Sequence, residues 1–344
     1  MPQGNEIDFV TAEAYLSAFP GGGRVLRSEK YAQTCYVLRD CLCAGPNGQV
    51  VMPLNAAGPS PVLEESFDYE FEREMKIAAF GLAMSRGLRE ERLEEAAPLF
   101  PAWGINNFWH WLLNCLPKAV LLESLGFRGQ YIVNLACPFV PESLALMGIG
   151  QNRLKHCDRR FHVKNLFLAA RIDGTEKTLG PALLSAVRES LMSNVAVLDG
   201  SKRCYVRRIG KRKINRENEA ELLELLAKYD FETLVPEEHS LAGQIAFMSN
   251  AACTLAPHGA NAALALFQKR KGILMELFGR KYINFCNLPI VNLLKLLYIP
   301  VCPDVNSAGH YYRVTEENKD EDYSVDLKLA GSILASLKSG RYGL

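Results

Sequence analysis

What the chain lacks narrows it before any motif is considered. No run approaches the roughly 18 to 20 apolar residues that span a bilayer. The segment Met1 to Pro20 carries acids and no long apolar stretch of the kind a secretory signal shows. A soluble, cytoplasmic protein is the expectation, with peripheral membrane contact left open. Neither sign of charge is in excess: the formal net charge is +1. A dedicated nucleic-acid binder carries a global basic surplus, so nucleic acid is not an expected partner. The chain has no Gly-rich dinucleotide fingerprint, no P-loop, no His-Glu-x-x-His and no Gly-x-Ser-x-Gly. That removes the usual signals for dinucleotide, NTP, zinc-protease and serine-hydrolase chemistry. Asp320-Glu321-Asp322 has Asp-x-Asp spacing but no preceding apolar strand, and reads as solvated surface. No metal and no cofactor are expected. Internal repeats and low-complexity tracts are also lacking.

What is present suits a folded chain of two domains. A length of 344 residues exceeds what one core usually holds. Hydrophobic residues make up 49% and charged residues 22%, so cores can form and disorder is not the rule. Ten cysteines are present, most inside apolar runs such as Asn114-Cys115-Leu116 and Ala252-Cys253-Thr254. Such thiols behave as small buried hydrophobes. Cys41-Leu42-Cys43 is too tight for a zinc knuckle and has no partner pair. The usage suggests a reducing compartment, although an even count is compatible with disulfides.

Residues 1 to about 60 read as strand-rich and irregular, with turns at Gly21-Gly22-Gly23 and Gly45-Pro46-Asn47-Gly48. The charged stretch 66 to 80 fits a strand or a short helix. Asn107 to Leu125 reads as a helix, its apolar positions Trp111, Leu112, Cys115, Ala119 and Leu122 recurring every three or four residues. Pro117 predicts a kink or a break within it. A β-α rhythm follows. Strands are expected at Tyr131–Leu135, Asn165–Ala169, Cys204–Arg207, Phe231–Val235, Cys253–Ala256 and Ile273–Leu277. Helices are expected at Glu142–Ile149, Gly180–Ser193, Asn218–Tyr229, Leu241–Ala251 and Ala260–Phe267, with a last one at Val325–Ser336. Asn218 with Glu221 and, separately, Ser240 are the cap candidates. The alternation implies α/β architecture with parallel sheets. The polar segment Arg171–Gly180 marks the domain boundary, giving domains 1–175 and 176–344.

Four constellations can carry chemistry. In Ala256-Pro257-His258-Gly259-Ala260-Asn261 a strand ends and a helix begins, offering free N–H groups to a phosphate. Gly259 lets the backbone approach a ligand, and His258 can donate to a phosphate or ribose oxygen. A plain turn with a structural histidine is the other reading. Arg207-Arg208, with Lys211, Arg212 and Lys213, follows a strand at the same sheet edge. Fixed guanidinium groups can stabilise a departing diphosphate without a metal. A solvated basic loop or a nucleic-acid contact are the alternatives. Glu276, an acid inside the apolar strand Ile273–Leu277, needs a partner if buried. A ribose diol or an arginine can supply it. Finally, in Phe108-Trp109-His110-Trp111, the Trp109 and Trp111 rings can stack on a sugar or fill a core. His110 can serve as a general base or be structural.

These segments, taken in order, resemble the family-61 glycosyltransferases, also met in bacteria as capsular-polysaccharide-type proteins. The resemblance covers roughly Asn107 to Leu277. It rests on Phe108-Trp109-His110-Trp111 through Leu116-Pro117, Tyr205 to Arg208, the basic cluster Arg212 to Glu219, the helix with Gln244, the His258-Gly259-Ala260 turn, and Leu274 to Leu277. It implies a GT-B-like fold of two Rossmann-like domains facing a cleft, with the acceptor on the side of 1–175 and the nucleotide sugar on 176–344. It implies inverting, metal-independent transfer from a nucleotide sugar, a UDP-sugar being the expected donor, to a glycan acceptor in cell-surface polysaccharide biosynthesis. The sequence departs from the family pattern at Asn114 and Gly243, where an acid is usual, and at Asn261, where a second glycine is usual.

The roles expected are then specific. His110 takes the acceptor proton, and Trp109 and Trp111 hold the acceptor. Arg207, Arg208, Arg212, His258, Gly259, Ala260, Asn261 and Glu276 hold the donor nucleotide, with Glu276 on the ribose. A non-catalytic nucleotide-sugar-binding or scaffold protein is the rival reading, kept alive by Asn114. An RNA-binding module built on Arg207 to Arg216 is the second. Oligomeric state is not legible.

Overall fold

The computed structural model describes residues 23–44, 50–53, 87–100, 106–169, 172, 179–198, 200–279, 282–302 and 321–338. Residues 1–22, the turn at 45–48, the charged stretch 66–80, most of the 171–180 linker and Asp320 lie outside the described residues. The chain divides into two compact units, Met1–Glu189 and Ser190–Leu344. Both are α/β. No helix among the described residues is long and apolar enough to cross a membrane.

The first unit holds β1 (Gly23–Ser28), β2 (Gln33–Ala44), β3 (Val50–Pro53), β4 (Glu90–Pro98), β5 (Gln130–Val133), β6 (Leu154–His156) and β7 (Arg160–Ala169). They form one sheet in the order β1-β2-β7-β4-β5-β6, with β3 on β2. The sheet is parallel from β7 to β6 and antiparallel around β2, so the expectation of parallel sheets holds here for four strands. Its core includes Leu38, Cys41, Ala96, Ile132, Phe161 and Leu166.

Strand β4 has no counterpart in the sequence reading, because Glu90-Glu91-Arg92-Leu93-Glu94-Glu95 shows charge rather than hydrophobic alternation. Neighbouring strands supply its stabilisation. Glu91 pairs with Lys155 at 2.6 Å and Arg159 at 2.9 Å, and Glu94 with Lys164 at 2.8 Å. Lys164 stands on the adjacent strand β7, where opposite charges favour pairing; Lys155 lies on β6, two strands away, and Arg159 just before β7, and their hydrogen bonds hold the Glu91 carboxyl below its ordinary pKa.

The expected helix at 107–125 forms as one continuous element, α1, in three stretches: Phe108–His110, a π-helical turn Trp111–Cys115, and Leu116–Ser124. Asn107 caps it, its side chain accepting from the Trp109 and His110 amides. The expected interruption takes the form of a wider turn, in which the Leu116 N–H reaches back five residues to Trp111 O. It comes directly before Pro117, whose ring would crowd the carbonyl four residues back in a regular α-helix. Helix α2 (Phe139–Leu146) begins three residues before the expected start. Helix α3 (Pro181–Met192) follows.

The second unit carries β8 (Lys202–Val206), β9 (Phe231–Leu234), β10 (Ala251–Pro257), β11 (Ile273–Leu277) and β12 (Leu297–Val301). Every pairing is parallel, in the order β12-β11-β10-β8-β9. Numbered within the unit this is 2-1-3-4-5, a doubly wound order whose direction reverses between β8 and β10. Helices α4 (Arg216–Ala227), α5 (Leu241–Ser249), α6 (Leu288–Leu294) and α7 (Leu327–Lys338) and a 3-10 helix (Ala260–Phe267) complete it. Tyr205, Leu222, Leu226, Leu255, Met275 and Leu334 belong to its core.

Ser240 caps α5 as expected, accepting from the Gly243 N–H at 3.2 Å. Asn218 does not cap α4. The helix starts at Arg216, and Asn218 instead exchanges hydrogen bonds with the Val325 backbone at 2.8 and 3.3 Å. That contact, with the Tyr323 N–H donating to Lys213 O, ties residues 322–325 to the loop after β8. The final helix lies two residues later than expected at each end.

Candidate functional site

Open parallel sheets bind ligands at the carboxyl ends of the strands where the order reverses, here between β8 and β10. Two of the sequence-derived segments end there. Arg207 and Arg208 follow β8, and His258 and Gly259 follow β10. The Arg208 guanidinium joins them: Nη1 donates to His258 O at 2.8 Å and Nε to Lys211 O at 2.7 Å. Gly259 is required by this junction. Its φ is +148°, and a Cβ built on it would stand 1.4 Å from Arg208 Nη1. The 3-10 helix begins with Ala260, and the first N–H groups of a helix lack intrahelical partners and suit an anion.

The His258 ring is held on several sides. Its backbone N–H extends the β10–β11 pairing by donating to Leu277 O at 2.8 Å. Nδ1 lies 2.6 Å from Glu276 Oε1. Phe278 stacks on the ring at 4.9 Å and 23°, and Tyr282 packs at 5.2 Å. With 7% exposure, the ring is almost enclosed. Nδ1–H donating to Glu276 leaves Nε2 as its remaining polar atom. Arg212 belongs to the same cluster, its Cζ 5.2 Å from the Tyr282 ring centroid. An open depression lined by Ile209, Gly210, Lys211, Lys213, Glu321 and Asp322 adjoins the basic loop.

Glu276 requires a correction. The sequence reading gave its carboxylate to a ribose, with an arginine as the alternative. Its exposure is 0%, and its oxygens accept from His258 Nδ1, Asn287 Nδ2 at 2.9 Å and Tyr298 OH at 2.6 Å. Three internal donors therefore occupy the group. Arg207 also has an internal partner. Its Nη2 donates to Glu219 Oε2 at 2.7 Å, while Tyr205 OH donates to Glu219 Oε1 at 3.2 Å. The hydrogen bond to Glu219 raises the Arg207 pKa further, so its charge is permanent. Asn261 reaches Glu237 Oε1 at 3.2 Å.

In the first unit, Trp109 and Trp111 do not offer ring faces for a sugar. They are 9% and 2% exposed, and Trp111 Nε1 donates to Ser143 Oγ at 2.8 Å. The apolar periodicity of α1 explains this, since it turns its whole middle inward. His110 is half-buried beside them, its ring edge-on to Trp109 at 5.0 Å. Burial pulls its pKa below the ordinary value near 6.5, and the Asn114 side chain opposes this in part. Nδ1 of His110 and Oδ1 of Asn114 are both enclosed without a well-formed hydrogen bond, so their mutual contact is polar but loose.

Several residues of these clusters were missed by the sequence reading. Glu219 had a signal, because it precedes Leu222 by three and Leu226 by seven residues and so shares their buried face. Lys118, four residues after Asn114 and fully enclosed with Nζ 3.4 Å from Phe100 O, had a similar one. Asn287, Tyr298, Phe278 and Tyr282 had none, since only the tertiary fold brings them to Glu276 and His258. Among the described residues no three His, Cys, Asp or Glu side chains cluster to hold a metal ion. All ten cysteines are free thiols, and nine are buried.

Comparison with known families gives the class: a glycosyltransferase enzyme. The matching family model is described as Glycosyltransferase 61, and it covers residues 108–275, just under half of the chain. The match takes in His110 and the segments from Tyr205 to Met275, and stops one residue before Glu276. No curated protein matches the chain.

Proposed function

We propose that this enzyme transfers a sugar with inversion from a nucleotide sugar, a UDP-sugar, to a glycan acceptor, in the cytoplasm and in the service of cell-surface polysaccharide synthesis. The GT-B arrangement and the division into an acceptor-side 1–175 and a donor-side 176–344 belong to this reading on the strength of the family resemblance. The observation that carries it is the Arg208–His258–Gly259 junction at the switch point of the parallel sheet. Cation, histidine and helix start converge there within a few residues, which is the chemistry a diphosphate requires.

In the reaction His110 takes the proton of the acceptor hydroxyl, and the acceptor oxygen bonds to the anomeric carbon. The bond from that carbon to the phosphate oxygen breaks, and its electron pair leaves with the nucleoside diphosphate. With Nδ1 enclosed, Nε2 is the His110 atom for the proton. A neutral imidazole is required, and burial favours it. Arg208, Arg207 and the N–H groups from Gly259 to Asn261 take up the growing negative charge without a metal. Losing one such group costs on the order of 3–4 kcal/mol of transition-state stabilisation.

A thermal-shift titration with UDP and UDP-sugars tests the donor half. A true donor at a hundredfold excess over its Kd stabilises by about 2.7 kcal/mol. Arg208→Ala should sharply reduce that shift and the transfer. Full donor hydrolysis and transfer by Arg208→Ala would refute the assignment. The amide of Asn114 beside His110 favours one rival, a nucleotide-sugar-binding protein without transfer. Donor binding with no turnover on any glycan, unchanged by His110→Ala, would establish that rival.

A further inference from the structure

Glu276 gathers donors from elements far apart in the chain. His258 comes from the end of β10, Asn287 from the turn before α6, and Tyr298 from β12, whose register sets Pro300 opposite Glu276. Each donor has its own support. Asn287 is fully enclosed, and its carbonyl accepts from the Ile290 and Val291 amides. The Tyr298 ring meets Phe285 edge-on at 6.2 Å, Phe285 meets Phe278 at 5.6 Å, and Phe278 stacks on His258. Burial and the adjacent Glu276 both push the Tyr298 phenol above its ordinary pKa, so it stays a donor.

The division of labour follows from the two oxygens. Oε1 receives His258 and Asn287, and Oε2 receives Tyr298. With both oxygens fixed the carboxylate cannot rotate, and the imidazole bonded to it cannot either. A buried carboxylate is tolerated only when its lone pairs are filled this way. Pinning one ring nitrogen decides which atom the other nitrogen faces. Glu276, Asn287 and Tyr298 all lie beyond residue 275, where the family match ends.

We propose that Asn287 and Tyr298 are positioning residues that act through Glu276, holding the His258 imidazole with Nδ1–H on the carboxylate and Nε2 turned to the donor nucleotide. The proposal rests on the donor-site reading above. It makes β12 and the turn before α6 part of the donor site without contact to the ligand.

The test uses the full chain labelled with 15N-histidine, UDP as probe, and four variants. The six histidines allow His258 to be assigned by its loss in His258→Gln. Wild type should show a His258 Nδ1 proton protected from solvent exchange. In Glu276→Gln and Tyr298→Phe that signal should shift or vanish, and UDP binding by calorimetry should weaken about tenfold and about threefold respectively, the range of one hydrogen bond's worth. Tyr298→Phe removes a single oxygen, so a folded variant is available even if Glu276→Gln proves unstable. Unchanged UDP affinity in both variants, with Arg208→Ala still deficient, would leave the donor site standing and overturn the positioning role. Weakened binding with an unaltered His258 signal would overturn it too, since the effect would bypass the ring. If wild type takes neither UDP nor a UDP-sugar, the donor-site reading and this inference fall together.

Discussion

Replacing Gly259 by alanine attacks the junction of the proposed donor site through a single methyl group. A Cβ at this position would lie 1.4 Å from Arg208 Nη1 and 2.7 Å from its Cζ, so the guanidinium must leave. The obstructing atoms end a flexible side chain, and the fold can absorb the change by swinging Arg208 away. Two costs then separate. The backbone at φ +148° is one that side chains resist, at about 1–3 kcal/mol of stability. The hydrogen bond from Arg208 Nη1 to His258 O, 2.8 Å in the native junction, is lost together with the placement of the cation. A charged hydrogen bond is worth about 1.5–3 kcal/mol, which translates to roughly 10- to 150-fold in nucleotide affinity. The assay is a double-mutant cycle of Gly259→Ala and Arg208→Ala, read by denaturant unfolding and UDP calorimetry. In the Arg208→Ala background the added alanine should cost stability only, with almost no further loss of binding. Additive losses of affinity would refute the argument, because the two residues would then act independently.

Three further outcomes follow from the same structure. Glu219→Ala strands the Tyr205 hydroxyl, which is fully enclosed, and releases Arg207; a loss of about 1–3 kcal/mol in urea unfolding is expected, and a loss below about 0.5 kcal/mol would contradict the pairing. Because the folded state holds a proton on His110 less readily than the unfolded chain, stability rises with pH across a window from the lowered His110 value up to about 6.5. The acidic, rising limb of kcat/KM should inflect below 6.5 and vanish in His110→Gln; an inflection at or above 6.5 would exclude this base. Trp111→Phe should lower stability by about 1–3 kcal/mol through the orphaned Ser143 contact and leave acceptor KM unchanged, whereas a large rise in KM would restore the sugar-stacking role.

The second unit was legible as far as Leu277, because short apolar strands alternate there with helices, whereas β12 and α6 had no counterpart in the sequence reading. Periodicity could place Arg207-Arg208, His258 and Glu276 at one sheet edge, since the carboxyl ends of parallel strands share an edge whatever their order. It could not assign partners. Glu276 was given a ribose because its true donors, Asn287 and Tyr298, stand 11 and 22 residues downstream and carry no local signal. The Trp pair was misread for the opposite reason: the same periodicity that marks a helix also marks its buried face, and both rings lie on it. Strand β4 was missed because its residues show charge rather than hydrophobic alternation, and the partners of Glu91 and Glu94 include Arg159 and Lys164, 68 and 70 residues away. The cap at Asn218 failed because the side chain serves Val325, more than a hundred residues away. Local rules recover elements where local energies decide them, and at Glu276, β4 and Asn218 a distant contact decides instead.

The π-helical turn at Trp111–Cys115 gives α1 a phase slip. Each residue advances an α-helix by roughly 100°, and one surplus residue in a turn rotates everything before it by about that angle relative to everything after. The stretch Leu116–Ser124 is committed to the core, so the angle at which His110 stands is set by residue number between them and not by its own contacts alone. Deleting Leu113 would leave His110, Trp111 and Asn114 in the chain and still turn the histidine away by about a quarter of a circle. The bearing of that side chain is thus encoded as a count.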